Sequence, residues 1–282
     1  MKRKIKWSTI ILLIGCFVGL SLLLYPSFAD YWNSNHATHA ITEYVDKMRD
    51  IDDDRYKEMW EEAKQYNQDL LGRANPYFID AETEERYNKC LDFIGNGLMG
   101  YVDIEKINVS LPLYHGTADA ILNAATGHLN WTSLPTGGRS THCAISGHRG
   151  LINARLFTDL DQLREGDRFT LNILDETLTY EVDQIRVVLP NELRDLEIIK
   201  GGDYCTLVTC TPYGINTHRL LVRGHRVENA AGIVHVVSEA VVIEPLVVAP
   251  VLAFPLLFIL LMMVLLKKPE KKPDLNTMMH RT

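Results

Sequence analysis

A cysteine at the end of a strand-like run is the first residue of this sequence that could do covalent chemistry. Cys210 ends the run 206–210 (TLVTC), and a turn at Pro212 follows it. A strand end can present its side chain at the rim of a sheet, and a cysteine becomes a nucleophile when a neighbouring group stabilises its thiolate. Cys205 lies five positions earlier and, at the two-residue period of a strand, points to the opposite face. We therefore expect at most one of these two thiols to face a given cleft.

A histidine that could serve such a cysteine as acid or base lies in a glycine-flanked segment. His148 is in the middle of SGHRG at 146–150, directly after a strand-like run. On composition alone, His128 and His142 are equally plausible. In every case the histidine precedes the cysteine, whereas in papain-like enzymes the cysteine comes first.

An arginine on the next strand-like run could stabilise a developing oxyanion. Arg219 and Arg223 both follow Cys210, and their even spacing places them on one face of a strand. A guanidinium is always charged and donates hydrogen bonds in a fixed fork, which suits it to this role.

The second half of the chain has the pattern of a β-protein. Six or more short runs, β-branched or alternating, lie between residues 98 and 226, and glycine-containing turns separate them. This pattern predicts a closed β-barrel. Two helical stretches, near 117–126 and 154–164, are expected to interrupt it.

The region before the barrel is predicted to be helical. Apolar residues recur at helical spacing through 30–72, and the acidic run at 50–54 should break this region into two helices. Residues 73–80, which include Pro76, form a non-helical segment. A short helix at about 82–93 follows.

Two charge-free apolar runs, at 7–25 and 246–266, each have about the 20 residues needed to cross a membrane as a helix. Lysine and arginine precede the first run, and lysines follow the second. The positive-inside rule then places both ends in the cytoplasm and residues 26–245 outside the cell membrane. The first run could instead be a cleaved signal peptide, because small residues occur at 27 and 29, but its apolar core is longer than the ~7–15 residues usual for signal peptides.

Composition excludes several classes of protein. The net charge of −7 excludes a chain that binds nucleic acid by overall basicity. With 46% hydrophobic and 23% charged residues, the chain is not a disordered polymer, and its mean hydropathy of −0.06 is too low for a polytopic membrane protein. The acidic run at 52–54 lacks the glycine and the distal glutamate of a calcium loop, so we expect no metal site.

Three stretches together resemble the sortase family, and most closely its class C, the pilin-polymerising sortases of Gram-positive bacteria. They are THCAISGHRGL (141–151), ARLFTDLDQLREGD (154–167) and TLVTCTPYGINTHRLLVRGHR (206–226). The resemblance extends over about residues 30–270. It implies an eight-stranded sortase-type β-barrel with flanking helices, an N-terminal helical extension with a lid, and two transmembrane helices.

The resemblance also implies site residues and chemistry. Cys210 corresponds to the family's nucleophile, His148 to its histidine and Arg219 to its arginine, with Arg223 as the fallback for the last. The implied reaction is cleavage of a Leu-Pro-x-Thr-Gly-like sorting signal between Thr and Gly, with a thioester on Cys210 that a pilin lysine amine resolves. The implied partners are pilin subunits and the membrane, with no cofactor, metal or nucleic acid.

The lid that the resemblance implies lies at about 73–80. Its usual motif is Asp-Pro-aromatic, and the matching residues are Asn75, Pro76 and Tyr77. An amide in place of the acid cannot form an ion pair, so we expect a weaker latch, for which Asp80 is an alternative.

The expected organisation follows from these motifs. It comprises a basic cytoplasmic end at 1–6, a transmembrane helix at 7–25, a helical extension with the lid at 26–96, the barrel at 97–230, a tether at 231–245, a transmembrane helix at 246–266 and a basic cytoplasmic tail at 267–282.

Two other functions stay open from the sequence. One is a sortase that attaches single proteins to the cell-wall precursor, although two spans and a lid favour the pilin-polymerising class. The other is an inactive, membrane-tethered assembly module, which would be expected to lack the cysteine, histidine or arginine. The stretch SLPTGG at 133–138 looks like a sorting signal, but it has no residue between Pro and Thr and is interpreted as a barrel loop.

Overall fold

A computed structural model describes residues 7–229 and the single residue Phe258. Eight strands close into a barrel in the order β1-β2-β3-β4-β7-β8-β6-β5. The predicted eight-stranded barrel is therefore confirmed. Its strands are β1 (Leu98–Ile104), β2 (Val109–His115), β3 (Thr126–His128), β4 (Thr141–Ser146), β5 (Arg168–Ile173), β6 (Glu176–Val188), β7 (Asp203–Thr211) and β8 (His218–Arg226).

The strands hold together because their inward side chains form one apolar core. Leu113, Ile145, Leu171, Leu207 and Val222 are fully buried in it and come from five different strands. Such closure pairs every strand on both sides and leaves no open sheet edge. The pairs β4–β7 and β2–β3 are parallel, and the other pairs are antiparallel.

Within residues 7–229, four helices accompany the barrel: α1 (Trp7–Met48), α2 (Asp53–Leu70), α3 (Ala81–Lys89) and α4 (Asp119–Leu122). The helix break expected in the acidic run occurs between α1 and α2. There the carboxylate of Asp52 accepts hydrogen bonds from the backbone N–H groups of Asp54 (3.1 Å) and Arg55 (2.9 Å), which caps α2.

Three helical stretches are shorter than the sequence predicts. The stretch expected at 82–93 ends at Lys89, and Leu91 has a positive φ of 62°, which a helix cannot continue through. The stretch at 117–126 is a single turn, α4. The stretch at 154–164 contains only a 3-10 turn at Leu160–Gln162, because Leu156 also has a positive φ, of 42°.

Helix α1 is attached to the barrel at two places along its length. Near its middle, the Asn33 side-chain amide donates to the carbonyl of Asn153 (2.7 Å), and Asp30 Oδ1 accepts from the N–H of Arg155 (2.8 Å). Near its end, the buried Tyr44 hydroxyl donates to the carbonyl of Met99 at 2.7 Å. The same hydroxyl accepts from the backbone N–H of Leu174, also at 2.7 Å.

Within the residues that the structure describes, no helix combines the length and apolarity needed to cross a membrane. The span predicted at 7–25 therefore stays a prediction. The tether, the second span and both cytoplasmic ends lie outside the described residues, Phe258 excepted.

The Tyr44 hydroxyl yields a test of how α1 is attached. In the Tyr44→Phe variant the Met99 carbonyl and the Leu174 N–H each lose a buried partner, so the free energy of unfolding of the full chain should fall by about 2 kcal/mol in denaturant titration. Thr42→Ala is the control, because that hydroxyl bonds only to the carbonyl of Thr38 on the exposed side of the same helix. Equal losses in the two variants would contradict the bridging role of Tyr44.

Candidate active site

Cys210 and Arg219 lie directly opposite one another on neighbouring strands. Cys210 is the penultimate residue of β7, Arg219 is the second residue of β8, and the two are register partners in the antiparallel pair. Directly opposed residues of an antiparallel pair have Cβ atoms about 4.5–5.5 Å apart. Both side chains are partly exposed, so the thiol and the guanidinium share one accessible edge of the barrel.

His148 lies on the other side of Cys210. Ser146, the last residue of β4, pairs with Val208 of β7, and the chain continues alongside β7 beyond that pair. The Gly147 N–H donates to the carbonyl of Val208 (3.0 Å), and the Thr209 hydroxyl donates to the carbonyl of Gly147 (2.7 Å). Since parallel strands advance together, His148 is brought alongside Cys210, two residues past the last registered pair.

A close backbone approach explains the glycine before the histidine. A Cβ at Gly147 would lie 2.6 Å from the Phe157 ring, so a larger residue would push the segment off that ring. The Phe157 N–H also donates to the carbonyl of His148 (3.1 Å). The loop that leaves His148 therefore returns to it, and both ends of the loop fix its backbone.

The other histidines proposed from composition are enclosed in the fold. His142 is buried, with one ring nitrogen 2.7 Å from the Thr206 hydroxyl and the other 2.8 Å from the carbonyl of Glu197. Burial lowers the pKa of His142, because the charged imidazolium is poorly solvated there. His128 is also buried and contacts the Tyr87 hydroxyl (3.0 Å). Neither histidine lies at the accessible edge that Cys210 occupies.

Four cysteines have surroundings that the structure describes, and Cys210 is the partly exposed one among them. Burial raises the pKa of Cys90 to about 11 and also raises that of Cys205, so both thiols stay protonated at neutral pH. Cys205 points into the barrel core, as the odd spacing from Cys210 predicts. Cys143 is its register partner on β4 and is equally buried.

The two arginines of β8 differ in their partners. The Arg223 guanidinium forms a two-point ion pair with Asp183 (3.0 and 2.9 Å) and lies over the ring of Tyr204 (4.6 Å). Arg219 donates to the backbone carbonyls of Asn216 (3.3 Å) and His218 (3.1 Å). Within the described part of the chain, no carboxylate accepts a hydrogen bond from Arg219. Its positive charge is therefore available to a ligand, whereas that of Arg223 is neutralised.

An apolar groove leads from the barrel to these residues. It has a volume of about 200 Å³, and Arg219 lies among its lining residues. Beneath it, Ala144, Val208 and Leu221 form a small apolar cluster separate from the barrel core, with Leu129 and Trp131 packed against it. An extended peptide with apolar side chains fits such a surface, with Arg219 placed for one of its carbonyl groups.

Tyr77 of the predicted lid contacts two residues next to this groove: Trp131, which packs against its apolar cluster, and Glu197, which follows the groove-lining residue Leu196. The Tyr77 ring lies edge-on to Trp131 (centroids 5.3 Å apart, 74° between planes), and its hydroxyl donates to the Glu197 carboxylate. This acceptor raises the pKa of Tyr77, because it disfavours the phenolate. The carbonyl of Glu197 accepts from His142, whose other ring nitrogen contacts Thr206, four residues before Cys210. At the rise of a β-strand, the four residues from Thr206 to Cys210 span roughly 13 Å, so the contact between His142 and Thr206 lies about that far from the nucleophile.

Neither of the two predicted latch residues reaches Arg219. Asn75 Oδ1 accepts from the backbone N–H of Tyr77 (3.0 Å), which shapes the turn at Pro76. Asp80 caps helix α3 by accepting from the N–H of Thr83 (2.8 Å). The Tyr77 hydroxyl, which donates to the Glu197 carboxylate, and the Arg73 guanidinium, which lies over the ring of Tyr66 (5.9 Å), tie this segment to the rest of the protein.

Sequence reasoning missed one residue beside the site, Arg149, and one residue that holds the lid, Glu197. Arg149 follows His148, and its side chain is only 9% exposed. Its guanidinium donates to the Asp161 carboxylate and lies 3.4 Å from the Thr211 hydroxyl, next to Cys210. Its position after the histidine in SGHRG was the available signal. Glu197 had no signal, because it follows a 3-10 turn in a segment with no recognisable motif.

Comparison with known proteins places this geometry in a family. A model of the sortase domain matches residues 102–227. Sortase C1 from Streptococcus agalactiae is 53% identical, covers 68% of this chain and 99% of its own, and superposes with a TM-score of 0.66. Sortase C of Streptococcus pneumoniae, whose structure was described for its catalysis and pilin substrate specificity, is 41% identical, covers 68% and 97% of the two chains, and has a TM-score of 0.62.

Two further relatives extend the comparison. Sortase C of Clostridium perfringens, solved with the C-terminal cell wall sorting motif, is 42% identical with a TM-score of 0.59, and covers 68% of this chain and 100% of its own. Sortase D of Bacillus subtilis is 27% identical over 131 residues, which are 45% of this chain. That match spans 63% of the relative, less than two thirds of its length.

The burial of the cysteines yields a labelling test. A thiosulfonate reagent at pH 8 should modify Cys210 in the folded chain and leave Cys90, Cys143 and Cys205 unmodified, because these three thiols are buried and the reagent cannot reach their sulfur atoms. Peptide mapping by mass spectrometry locates the label, and denatured protein is the control in which all four react. Labelling of Cys143 or Cys205 at the rate of Cys210 would contradict the described burial.

Proposed function

The chain belongs to the sortase family of cysteine transpeptidases, among its class C members, and from this premise we propose that it polymerises pilin subunits. In this proposal it cleaves a Leu-Pro-x-Thr-Gly-like sorting signal between Thr and Gly. It holds the acyl fragment as a thioester on Cys210 and transfers that fragment to a lysine amine of a second subunit. The observation that supports this most directly is the position of Cys210 between His148 and Arg219, at the end of an apolar groove.

In the first half-reaction the Cys210 thiolate attacks the Thr carbonyl carbon. The C–S bond forms as the carbonyl π bond opens, and the electron pair moves onto oxygen. Arg219 faces the cysteine from β8 and can donate to that oxyanion without first breaking an ion pair. Collapse of the intermediate breaks the Thr–Gly bond, and His148 donates the proton that the leaving glycine amine requires.

In the second half-reaction the lysine amine takes the place of the glycine amine. It attacks the thioester carbonyl, His148 accepts the proton it loses, and the Cys210 thiolate leaves. The product is an isopeptide bond between two subunits. The lysine amine enters on the side of the carbonyl from which the glycine amine left, so His148 serves as acid in the first half-reaction and as base in the second.

The names of two relatives support the substrate class. The Streptococcus pneumoniae enzyme was described for pilin substrate specificity, and the Clostridium perfringens enzyme was solved with a cell wall sorting motif. The rival proposal, anchoring of single proteins to the cell-wall precursor, differs only in the amine that resolves the thioester. Competition between a lysine-containing pilin peptide and a peptidoglycan-type amine separates the two.

The matched arginines of β8 provide the test of the proposed chemistry. Arg219→Lys should lower kcat/KM for a sorting-signal peptide by about 100-fold, because a point charge replaces a fork of donors at the oxyanion. Arg223→Lys changes the same residue type on the same strand, but should mainly lower stability. Intact-mass spectrometry of the full chain follows thioester formation, with Cys210→Ala as the blank. Equal kinetic losses in the two variants would count against the assignment of Arg219.

The Tyr77 contact yields a separate test of the lid. Tyr77→Phe keeps the ring on Trp131 and removes the hydrogen bond to Glu197, so the segment should leave its position beside the groove more often. The rate of Cys210 acylation should rise roughly two- to fivefold. Phe78→Ala is the control, because that side chain lies in the same segment and is 64% exposed. If both variants match the wild-type rate, the Tyr77 contact does not limit access to the groove.

A further inference from the structure

The two attachments of helix α1 determine which end of the barrel lies near the N-terminal half of that helix. The contacts of Asp30 and Asn33 are to residues 153–155, in the loop that starts and ends at His148. The contacts of Tyr44 are to Met99 and Leu174, eleven residues further along the helix. Eleven residues of helix span about 16 Å, so α1 lies lengthwise along the barrel.

Strand β6 shows that these two attachments are at opposite ends. It begins at Glu176, two residues after Leu174, and ends at Val188, which pairs with Arg219. Its 13 residues cover the barrel from the Tyr44 attachment to the candidate active site. The N-terminal direction of α1, from Tyr44 back to Trp7, therefore points to the end of the barrel that carries His148, Cys210 and Arg219.

The helix segment just before the first attachment has an exposed aromatic face. Phe28 (64% exposed), Tyr31 (48%) and Trp32 (57%) recur at helical spacing, and the Phe28 and Trp32 rings stack at 6.4 Å. Asp30 and Asn33 occupy the opposite side of the helix, against the barrel loop. Packing against the barrel therefore does not account for the aromatic residues.

The surroundings of this face indicate a lipid partner. Residues 7–25 of the same helix are the charge-free run, and Lys2, Arg3, Lys4 and Lys6 precede it. Aromatic rings that follow an apolar span are typical of the membrane–water interface. The barrel adds Ile152, which is 70% exposed and adjoins Asn153 in the loop that α1 contacts.

We propose that Phe28, Tyr31, Trp32 and Ile152 form a bilayer-contacting surface, and that the barrel rests on the outer leaflet with its active-site end towards the lipid. Asp30 is five residues past the end of the apolar run, or about 7.5 Å along the helix. The loop that carries His148 is joined to that residue, so the site lies close to the lipid surface. This orientation goes beyond the proposed reaction and takes the predicted span at 7–25 as its premise.

The orientation has a consequence for the substrate. A sorting signal that precedes a hydrophobic segment is held at the membrane surface until it is cut. A groove at the lipid-facing end of the barrel meets such a signal without drawing it out of the membrane. This consequence, unlike the orientation itself, rests on the proposed function.

A depth measurement on the full chain in vesicles tests the orientation. Ile152→Cys and Asp175→Cys, each with Cys16→Ser and Cys210→Ala, are labelled with a thiol-reactive fluorophore. Asp175 is exposed in the turn between β5 and β6, next to the Tyr44 attachment. In phosphatidylcholine–phosphatidylglycerol vesicles with nitroxide-labelled headgroups, the label at 152 should lose fluorescence and the label at 175 should not. Stronger quenching at 175, or equal quenching at both, overturns the proposal.

A spacer in α1 tests the same orientation through catalysis. Seven alanines inserted after Ala29 lengthen the helix by about 10 Å and rotate the barrel only about 20° short of two full turns. Quenching at 152 should be lost in the labelled form. In the form that keeps Cys210, acylation by a soluble signal peptide should be unchanged, and cleavage of a membrane-anchored signal should be slower. Unchanged cleavage of the anchored signal counts against the orientation, whereas loss of acylation by the soluble peptide concerns the proposed function itself.

Flotation of the protein with vesicles tests the premise that the chain is membrane-bound. If the unmodified full chain does not float with vesicles, the premise of a membrane span is wrong and the proposed surface falls with it. If it floats and Phe28→Ser/Trp32→Ser abolishes quenching at 152 while flotation persists, the aromatic face is what holds the barrel to the lipid.

Discussion

The parallel pairing of β4 with β7 is the interaction on which the rest of the site depends. Two residues distant in sequence come together because two strands advance in the same direction from the register pair Ser146 and Val208. The antiparallel partner β8 then places Arg219 opposite Cys210. The absence of a side chain at Gly147 lets the backbone before the histidine lie on Phe157. A one-residue slip in either pair would turn one of the three side chains into the core.

The alternation along β7 separates a buried thiol, Cys205, from a partly exposed one, Cys210. Cys205 and Leu207 point into the core, whereas Val208 and Cys210 point to the groove. The same period that builds the barrel therefore protects Cys205 and exposes Cys210. On β8, Arg223 forms an ion pair with Asp183. Among the described residues, Arg219 has only backbone carbonyls as acceptors. Burial of Cys205 and the ion pair of Arg223 thus leave Cys210 and Arg219 as the accessible thiol and the unneutralised guanidinium of this pair of strands.

The N-terminal region contacts the barrel in two ways, through helix α1 and through the segment at 73–80. Helix α1 is attached near its middle to the loop after His148 and near its C-terminal end to β1 and to the end of β5, through buried and partly buried hydrogen bonds. The tip of the segment at 73–80 is held by a hydrogen bond between the exposed Tyr77 and the Glu197 carboxylate. A contact between exposed groups contributes little to stability. The hydrogen bonds of Asn33 and Tyr44 that attach α1 to the barrel are thus better shielded from water than the bond that holds the lid segment.

Local sequence alone determined the barrel class, the opposite orientation of Cys205 and Cys210, and the helix break at the acidic run, because each depends on a short-range period or on one cap. The resemblance added the identities of His148, Cys210 and Arg219. Tertiary structure decided that Arg223 is neutralised by Asp183 and that Tyr77 contacts Glu197 and Trp131. It also decided that 154–164 forms turns, because Leu156 takes a positive φ where the loop returns to His148. These outcomes depend on partners far away in the chain, which no local pattern specifies.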